Sequence, residues 1–600
     1  MSQGHYVVGI DLGTTHSALA YADTRAENPS IQLLELPQLV TAASTANKAL
    51  LPSFLYFAHP SEGAMALPWA QERTFAVGEF ARARGLDAPT RVVQSAKSWL
   101  CHPTVDRRSG ILPLGAPEDI ERISPVEASF RYLEHLSECF DAFMAEADPG
   151  QRLADQDVVL TVPASFDAAA RDLTVEAAKA AGIEKLTLLE EPQAALYAWT
   201  LNRGDAWRKE LKVGDVLVVV DVGGGTTDFS AIAVREEGGS LSLERVAVGD
   251  HILLGGDNMD LFLSHVVKAR LEADGKAVDA FQMAQLGFAC RAAKEKLLSG
   301  ETSKAVPIAV ASKGSKLVGG TLRTELTQKD VEDVILEGFF PASKSQDLPQ
   351  ARTRAGLTQL GLPYAQDAAI TKHLAAFLRK QGGDSGTLLK PTCVLYNGGV
   401  MKSAALRSRV QSALESWMKA EKAEVPRALD GADYDLAVAR GAAYYGLAKR
   451  GRGLRIRGGM PRSYYVGIES AMPAIPGMAP PVDLLCVAPF GMEEGTSCDM
   501  PRMELGMVVG EPVDFRFFGS SVRKKDAAGA SVGAFPVADV EELAPIRANI
   551  KAKGRTDGDV VPVRLRAVAT EIGTLELRAT PVKPLQDGEE WLVELNVRQG

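Results

Sequence analysis

The stretch Val216-Leu-Val-Val-Val-Asp-Val-Gly-Gly-Gly-Thr-Thr-Asp-Phe229 constrains the fold more than any other part of the chain. Its apolar run Val216–Val220 reads as a strand buried on both faces, because branched side chains pack well in a covered sheet. Asp221 ends the run, where a carboxylate emerges at the strand's carboxyl end. Gly223, Gly224 and Gly225 follow, and without Cβ atoms their N–H groups can approach an anion closely. Thr226, Thr227 and Asp228 then supply hydroxyl and carboxylate groups. The N-terminus carries a similar device, Tyr6-Val-Val-Gly-Ile-Asp-Leu-Gly-Thr-Thr-His-Ser17. Again a strand delivers an aspartate (Asp11), then a glycine (Gly13), then Thr14 and Thr15. One copy alone reads equally well as a hairpin turn. Two distant copies predict a duplicated α/β domain that clamps a nucleotide phosphate between its halves, with Asp11 and Asp221 holding a hydrated Mg²⁺.

The chain of 600 residues is long enough for about four domain-sized units and a large core. A net charge of −10 argues against nucleic acid as a main partner. The cysteines at 101, 139, 290, 393, 486 and 498 form no CxxC pair. They read as free thiols of a reducing compartment, not as a disulfide framework or a zinc site. The start of the chain lacks a basic region followed by a long apolar core, and no apolar run approaches the ~18 residues of a membrane span. The expectation is a cytoplasmic protein without a membrane partner.

Four segments carry a family resemblance: Gly9-Ile-Asp-Leu-Gly-Thr-Thr-His-Ser17, Thr161-Val-Pro-Ala-Ser-Phe166, Glu191-Pro192 and Asp221-Val-Gly-Gly-Gly-Thr-Thr-Asp228. They resemble signatures of the actin-like ATPase superfamily and, more narrowly, of the heat-shock protein 70 chaperones. The resemblance is specific up to the region of Arg450 and fainter beyond it. It implies an α/β fold: a duplicated actin-like (ribonuclease H-like) ATPase domain of two lobes over residues 1–450. A linker at 451–459 and a small all-β sandwich at 460–600 would follow. It also implies ATP or ADP as ligand with Mg²⁺, and K⁺ as a further cation.

The resemblance assigns Gly13, Thr14 and Thr15, and Gly223, Gly224, Gly225 and Thr226, to the phosphates. His16 stands where most of the family has tyrosine and is expected to line the phosphate site, an ordinary turn histidine being the alternative. Leu51–Phe57 reads as an edge strand entered through Pro52. Lys97 matches the lysine that reaches the γ-phosphate, where a compact ammonium meets developing negative charge. Residues 124–147 show helical periodicity after a capping box, Ser124 to Glu127. Asp167 is expected to N-cap a helix over Ala168–Ala181, closed by Gly182. Pro163 and Arg171 match a pair that relays nucleotide state in the family; a surface helix residue is the competing reading of Arg171. Glu191, before Pro192, is expected to be extended at a strand end, where ligands gather. It matches the glutamate near metal and attacking water, and Glu190 reads as its solvated neighbour.

Gly255 and Gly256 are expected to line the nucleotide cleft, with Asp257 in place of the family's glutamate. Lys294 matches an adenosine-contacting lysine. Arg291 falls where the family has a ribose-bonding glutamate, and a solvated helix face is its preferred reading. Gly398 and Gly399 offer adenine a wall without side chains. Lys402 replaces the arginine that stacks on the base, and stacks less well because it is not planar. Asp435 lies near the adenine–ribose pocket, on a segment Asp435–Ala443 read as a helix whose Gly441 packs against the first strand.

Lys449–Gly459 is basic and glycine-rich, whereas the family's linker is leucine-rich and acidic. That departure leaves the coupling of ATP to peptide, and to J-domain partners, open. Beyond it, short alternating runs (Val513–Phe518, Val561–Val568, Thr574–Arg578, Trp591–Val597) suggest an antiparallel sandwich. It stands where the chaperones keep a peptide-binding β-domain, here without the helical lid.

The leading expectation is an ATP-binding, slowly ATP-hydrolysing, Mg²⁺-dependent chaperone-like protein acting on an unfolded or specific client polypeptide. Lys97, Glu191, Asp228 and Thr226 form its catalytic set, and Asp11 and Asp221 its metal set. The alternatives are a small-molecule kinase on the same fold and a nucleotide-binding scaffold with little turnover.

Overall fold

The computed structural model describes the chain apart from residues 1–3, 103–104, 146–148, 238–239, 300–303, 312–320, 351–360, 383–386, 453–455, 457–459, 461, 470–480, 494, 501–503, 521, 544–545, 551–553, 571–574, 586–588 and 596–600. Two compact units emerge. One comprises Met1–Ser165, Asp172–Ser242 and Val248–Arg455, the other Phe166–Arg171, Leu243–Ala247 and Ile456–Gly600.

In the first unit, one sheet runs in the order Leu186–Glu190, Asp157–Val162, Tyr6–Leu12, His16–Asp23, Gln32–Leu33. Tyr6–Leu12 pairs antiparallel with His16–Asp23 and parallel with Asp157–Val162. A second sheet repeats that pattern. Val216–Val222 pairs antiparallel with Thr227–Glu237 and parallel with Cys393–Asn397. Val218, Val219 and Val220 are fully buried, as are Val7, Val8 and Ile10. Each such side chain contributes about 1.5–3 kcal/mol by leaving water, which is why these runs form the sheet centres. In both sheets the hairpin turn follows directly from an aspartate at the strand end, Asp11 or Asp221.

The helix Ala437–Lys449 lies on the first sheet through glycine contacts. A Cβ on Gly9 would stand 2.3 Å from Ala439 O, and one on Gly446 2.1 Å from Val7 Cγ1. Gly441, expected on the first strand, instead meets the neighbouring helix Glu191–Arg203, where its Cβ would stand 1.8 Å from Ala194 O. Asp435 precedes the helix rather than opening it.

Three local expectations change. Leu51–Phe57 divides into Leu51–Pro52, paired with His16–Asp23, and Leu55–Phe57, which pairs on both sides and is no edge. Ser124 caps its helix by accepting from Glu127 N, without the return bond of a capping box. Arg171 is 1% exposed, so it is not a surface residue. Asp167 does cap the following helix, accepting from Ala170 N at 2.6 Å, and Gly182 takes φ +80° just beyond that helix.

Of the expected linker, only Gly451, Arg452 and Ile456 are among the described residues. Its basic approach serves the first unit: Arg450 pairs with Asp157 at 2.5 Å and Arg452 donates to Ala26 O.

The second unit holds two antiparallel five-stranded sheets. One runs Ser531–Ala534, Val482–Ala488, Ser463–Glu469, Phe517–Ser520, Glu541–Glu542. The other centres on Val560–Ala569 and Leu575–Pro581, with Trp591–Leu595 beyond. Alternate residues of both (Tyr464, Leu485, Val487; Val563, Leu565, Leu577, Val593) share one core. Val513–Phe518 is not one strand. Pro512–Phe515 pairs with Ile546–Asn549, while Phe517–Ser520 joins the first sheet. Thr574, Asn596 and Val597 of the expected strands lie outside the described residues. Among the described residues no helix is long and apolar enough to cross a membrane. The six cysteines are free thiols, all buried or half-buried.

Candidate functional site

The two glycine turns meet. A Cβ on Gly224 would stand 2.2 Å from Thr15 Cγ2, and one on Gly225 2.9 Å from Thr14 Cγ2. Without Cβ atoms, Gly224 and Gly225 leave room for the threonine methyls of the facing turn. Ser53 fixes the first turn, donating from its N to Thr15 O at 2.9 Å and from Oγ to Gly13 O at 2.7 Å. Gly13 is needed there, since a Cβ would stand 2.1 Å from His16 O. The second turn is closed by Gly223 N donating to Thr226 O at 3.0 Å. Gly255 and Gly256 back it: Gly256 N donates to Gly223 O, and a Cβ on Gly255 would stand 2.6 Å from Gly224 O.

An acidic cluster lies beneath the turns. Asp11 accepts from Thr161 Oγ1 at 3.3 Å, Asp221 from Asn397 Nδ2 at 2.8 Å and Asp228 from Ser165 N at 3.2 Å. Lys97 Nζ pairs with Glu191 Oε1. Burial, and then the Glu191 charge, push the Asp11 carboxyl up to about 7. Burial raises Asp221 well above the carboxylate range, helped by Glu191, Asp228 and Asp11. Burial raises Glu191 too, with Lys97 opposing. Burial would lower the Lys97 ammonium, but Glu191 and Asp11 outweigh it and hold it above the usual lysine value. Four mutually repelling carboxylates around one ammonium are a hard, oxygen-rich donor set short of positive charge, which a divalent cation would supply. No three of the described acidic or imidazole side chains converge tightly enough to ligate an ion directly. The hard oxygen donors are of the type that suits Mg²⁺.

Glu191 departs from its expected conformation. It is the first helical residue, followed by Pro192 in the first turn, while Glu190 takes the extended cap position with φ −75°. Proline suits a first helical turn, and that preference overrides the extended bias of the preceding residue. Glu190 is buried, not solvated.

Arg291 is not on a solvated face either. It is largely shielded, with 11% of its side chain exposed, and donates to Asp257 Oδ1 at 2.5 Å and Asp260 Oδ2 at 2.8 Å. Lys294 joins the cluster through Asp260 Oδ1 at 2.7 Å and Gly256 O at 3.1 Å. Ser95 Oγ donates to Asp257 Oδ2, a partner that sequence reading missed, as it missed Thr161, Ser165 and Asn397. Thr161 and Ser165 stand inside a segment that carries the family resemblance and Asn397 directly precedes Gly398, but the order of residues assigns their side chains no partner.

On the remaining side, Gly398 takes φ +87°, and its Cβ would stand 2.3 Å from Val222 O. A Cβ on Gly399 would meet nothing within 4 Å. Lys402 pairs with Asp435 at 2.5 Å. His16 opens its strand opposite Pro52, and burial, then Arg82, Lys402 and Arg291, pull it down to about 3, so it stays neutral.

Residues 7–341 match the sequence profile of the family described as Hsp70 protein. The chain belongs to the Hsp70 family. The chaperone protein HscA homologue of Methylococcus capsulatus is 32% identical to this Hsp70 chain over 356 residues, 57% of this chain and 49% of the relative. The homologue of Cupriavidus taiwanensis is 29% identical over the same shares. Chaperone protein HscA of Xenorhabdus nematophila is 29% identical over 271 residues, 44% of this chain and 38% of its own. The Hsp70 chain thus spans about half the length of the curated relatives it matches.

Proposed function

We propose that the chain is an ATP-binding, ATP-hydrolysing chaperone whose first unit is a two-lobed actin-like ATPase domain and whose second is a β-sandwich for a client polypeptide. The observation that carries this reading is the apposition of Gly224 with Thr15 and Gly225 with Thr14 above the buried acids. N–H groups of both turns then face one triphosphate from two sides. Bound Mg²⁺ would supply charge neutralisation of the phosphates, with Asp11 and Asp221 holding its water shell.

In this reading Thr14, Thr15, Thr226 and the glycines 223 to 225 cradle phosphates. Lys97, kept charged by Glu191 and Asp11, stabilises negative charge on the terminal phosphoryl group. Glu191 and Asp228 orient the attacking water. Gly399, Lys294, Lys402 and Asp435 bound the adenosine side. Fixing Arg291 between Asp257 and Asp260 removes it as a free ribose ligand, so ribose recognition falls to other groups. The compartment we propose is the cytoplasm. A J-domain partner and K⁺ rest on the family resemblance alone.

The test is ATP turnover with Mg²⁺, with and without an unfolded peptide. Slow Mg²⁺-dependent phosphate release accelerated by peptide is the expected result; absence of turnover despite binding would leave a nucleotide-binding scaffold, and phosphate transfer to an added sugar would make the protein a kinase.

A further inference from the structure

Ser98 was not singled out by the sequence, and the roles above do not use it. It sits one residue beyond Lys97 on the buried helical turn Ala96–Trp99 and is 2% exposed. Its Oγ has no hydrogen-bond partner. A buried hydroxyl without a partner is disfavoured, so such groups usually mark a missing ligand or water.

The hydroxyl points at the glycine clamp. A Cβ on Gly225 would stand 2.4 Å from Ser98 Oγ, nearer than the 2.9 Å to Thr14 Cγ2 on the facing turn. Ser98 is therefore a third element converging where the two turns meet. Its backbone is fixed from the preceding residue: Ser95 takes φ +55°, which side chains rarely adopt, and anchors its Oγ on Asp257. Ser98 N donates to Ser95 O at 3.0 Å. The same turn carries Lys97, which pairs with Glu191.

Resting on the nucleotide reading above, we propose that Ser98 Oγ donates a hydrogen bond to an oxygen of the terminal phosphate of the bound nucleoside triphosphate, and so makes the site distinguish triphosphate from diphosphate. A hydroxyl donor beside Gly225 meets an anionic oxygen without adding charge to a site that already holds Lys97. A charge-assisted bond of this kind is among the stronger protein hydrogen bonds.

The test compares the parent with Ser98→Ala and Ser98→Cys by calorimetry, using Mg²⁺ with the β,γ-imido analogue of ATP and Mg²⁺ with ADP. Cysteine keeps most of the volume but donates weakly, separating the hydrogen bond from packing. Both variants are expected to lose about tenfold or more in affinity for the analogue and less than about twofold for ADP. Equal losses for both nucleotides would show that Ser98 acts through packing, and unchanged affinities would show that a buried water meets the hydroxyl; either overturns the assignment while leaving nucleotide binding intact. A parent that binds neither nucleotide would overturn the nucleotide reading itself, and this inference with it. Melting of the nucleotide-free variants at the parent temperature establishes that the fold is preserved.

Discussion

A Cβ placed on Gly224 would stand 2.2 Å from Cγ2 of Thr15. These residues lie on the turns of hairpins in two different sheets, so the contact joins the two repeats of one strand pattern at their turns. Of the acids beneath, Asp221 and Asp228 are buried and Asp11 and Glu191 half-buried, and their mutual repulsion is tolerable only with protons or a cation among them.

Replacing Lys97 by alanine should retain ATP binding and lower hydrolysis about 10²- to 10³-fold, the usual cost of removing one group that stabilises transition-state charge. Single-turnover phosphate release beside equilibrium ATP binding checks this. Undiminished turnover would remove Lys97 from the mechanism.

Arg291→Ala should lower stability by about 3 kcal/mol, because Asp257 loses a buried guanidinium partner and Asp260 keeps only Lys294. Denaturant unfolding of the nucleotide-free protein measures it. A loss under about 0.5 kcal/mol would match the exposed-face reading instead.

His135 is 1% exposed and donates from Nε2 to Pro37 O at 3.0 Å. Burial, then the Arg73 charge, pull it from 6.5 down to about 4. Its folded pKa is depressed, so its contribution is fully present above about pH 6.5 and is lost as pH falls toward about 4. His135→Gln removes this titration, and the fall in stability over that window should be shallower by up to about 3 kcal/mol. Urea midpoints at pH 7, 5.5 and 4.5 report it; parallel pH profiles would contradict it.

Two glycines should behave oppositely. Gly441→Ala drives a Cβ into the Ala194 carbonyl, a backbone atom that cannot rotate away, and should cost about 1–3 kcal/mol or more. Gly399→Ala meets open space and should change stability by no more than about 0.5 kcal/mol. Thermal unfolding of both variants decides, and equal losses would be the contrary outcome.

The hairpin strands were legible because apolar runs ending in Asp, one more apolar residue and Gly leave little choice of structure. Val216–Val222 and Tyr6–Leu12 form where the pattern places them. Charged residues were less legible. Arg291 and Arg171 look like exposed helix positions along the chain, but Arg171 is 1% exposed and Arg291 is held by Asp257, a residue distant in sequence. Glu191 misled because the rule for a residue before proline competes with proline's preference for a first helical turn. In the β-rich region, Val513–Phe518 alternates like one strand, yet the chain changes sheets at Arg516, which alternation cannot signal.

The most direct test is equilibrium binding of ATP with Mg²⁺ to the parent and to Gly224→Val. One ATP per parent chain is predicted, with binding lost in the variant because a branched side chain would occupy the space against Thr15, while the nucleotide-free variant melts within a few degrees of the parent. A parent that binds no ATP, or a Gly224→Val protein that binds it as tightly as the parent, would contradict the clamp.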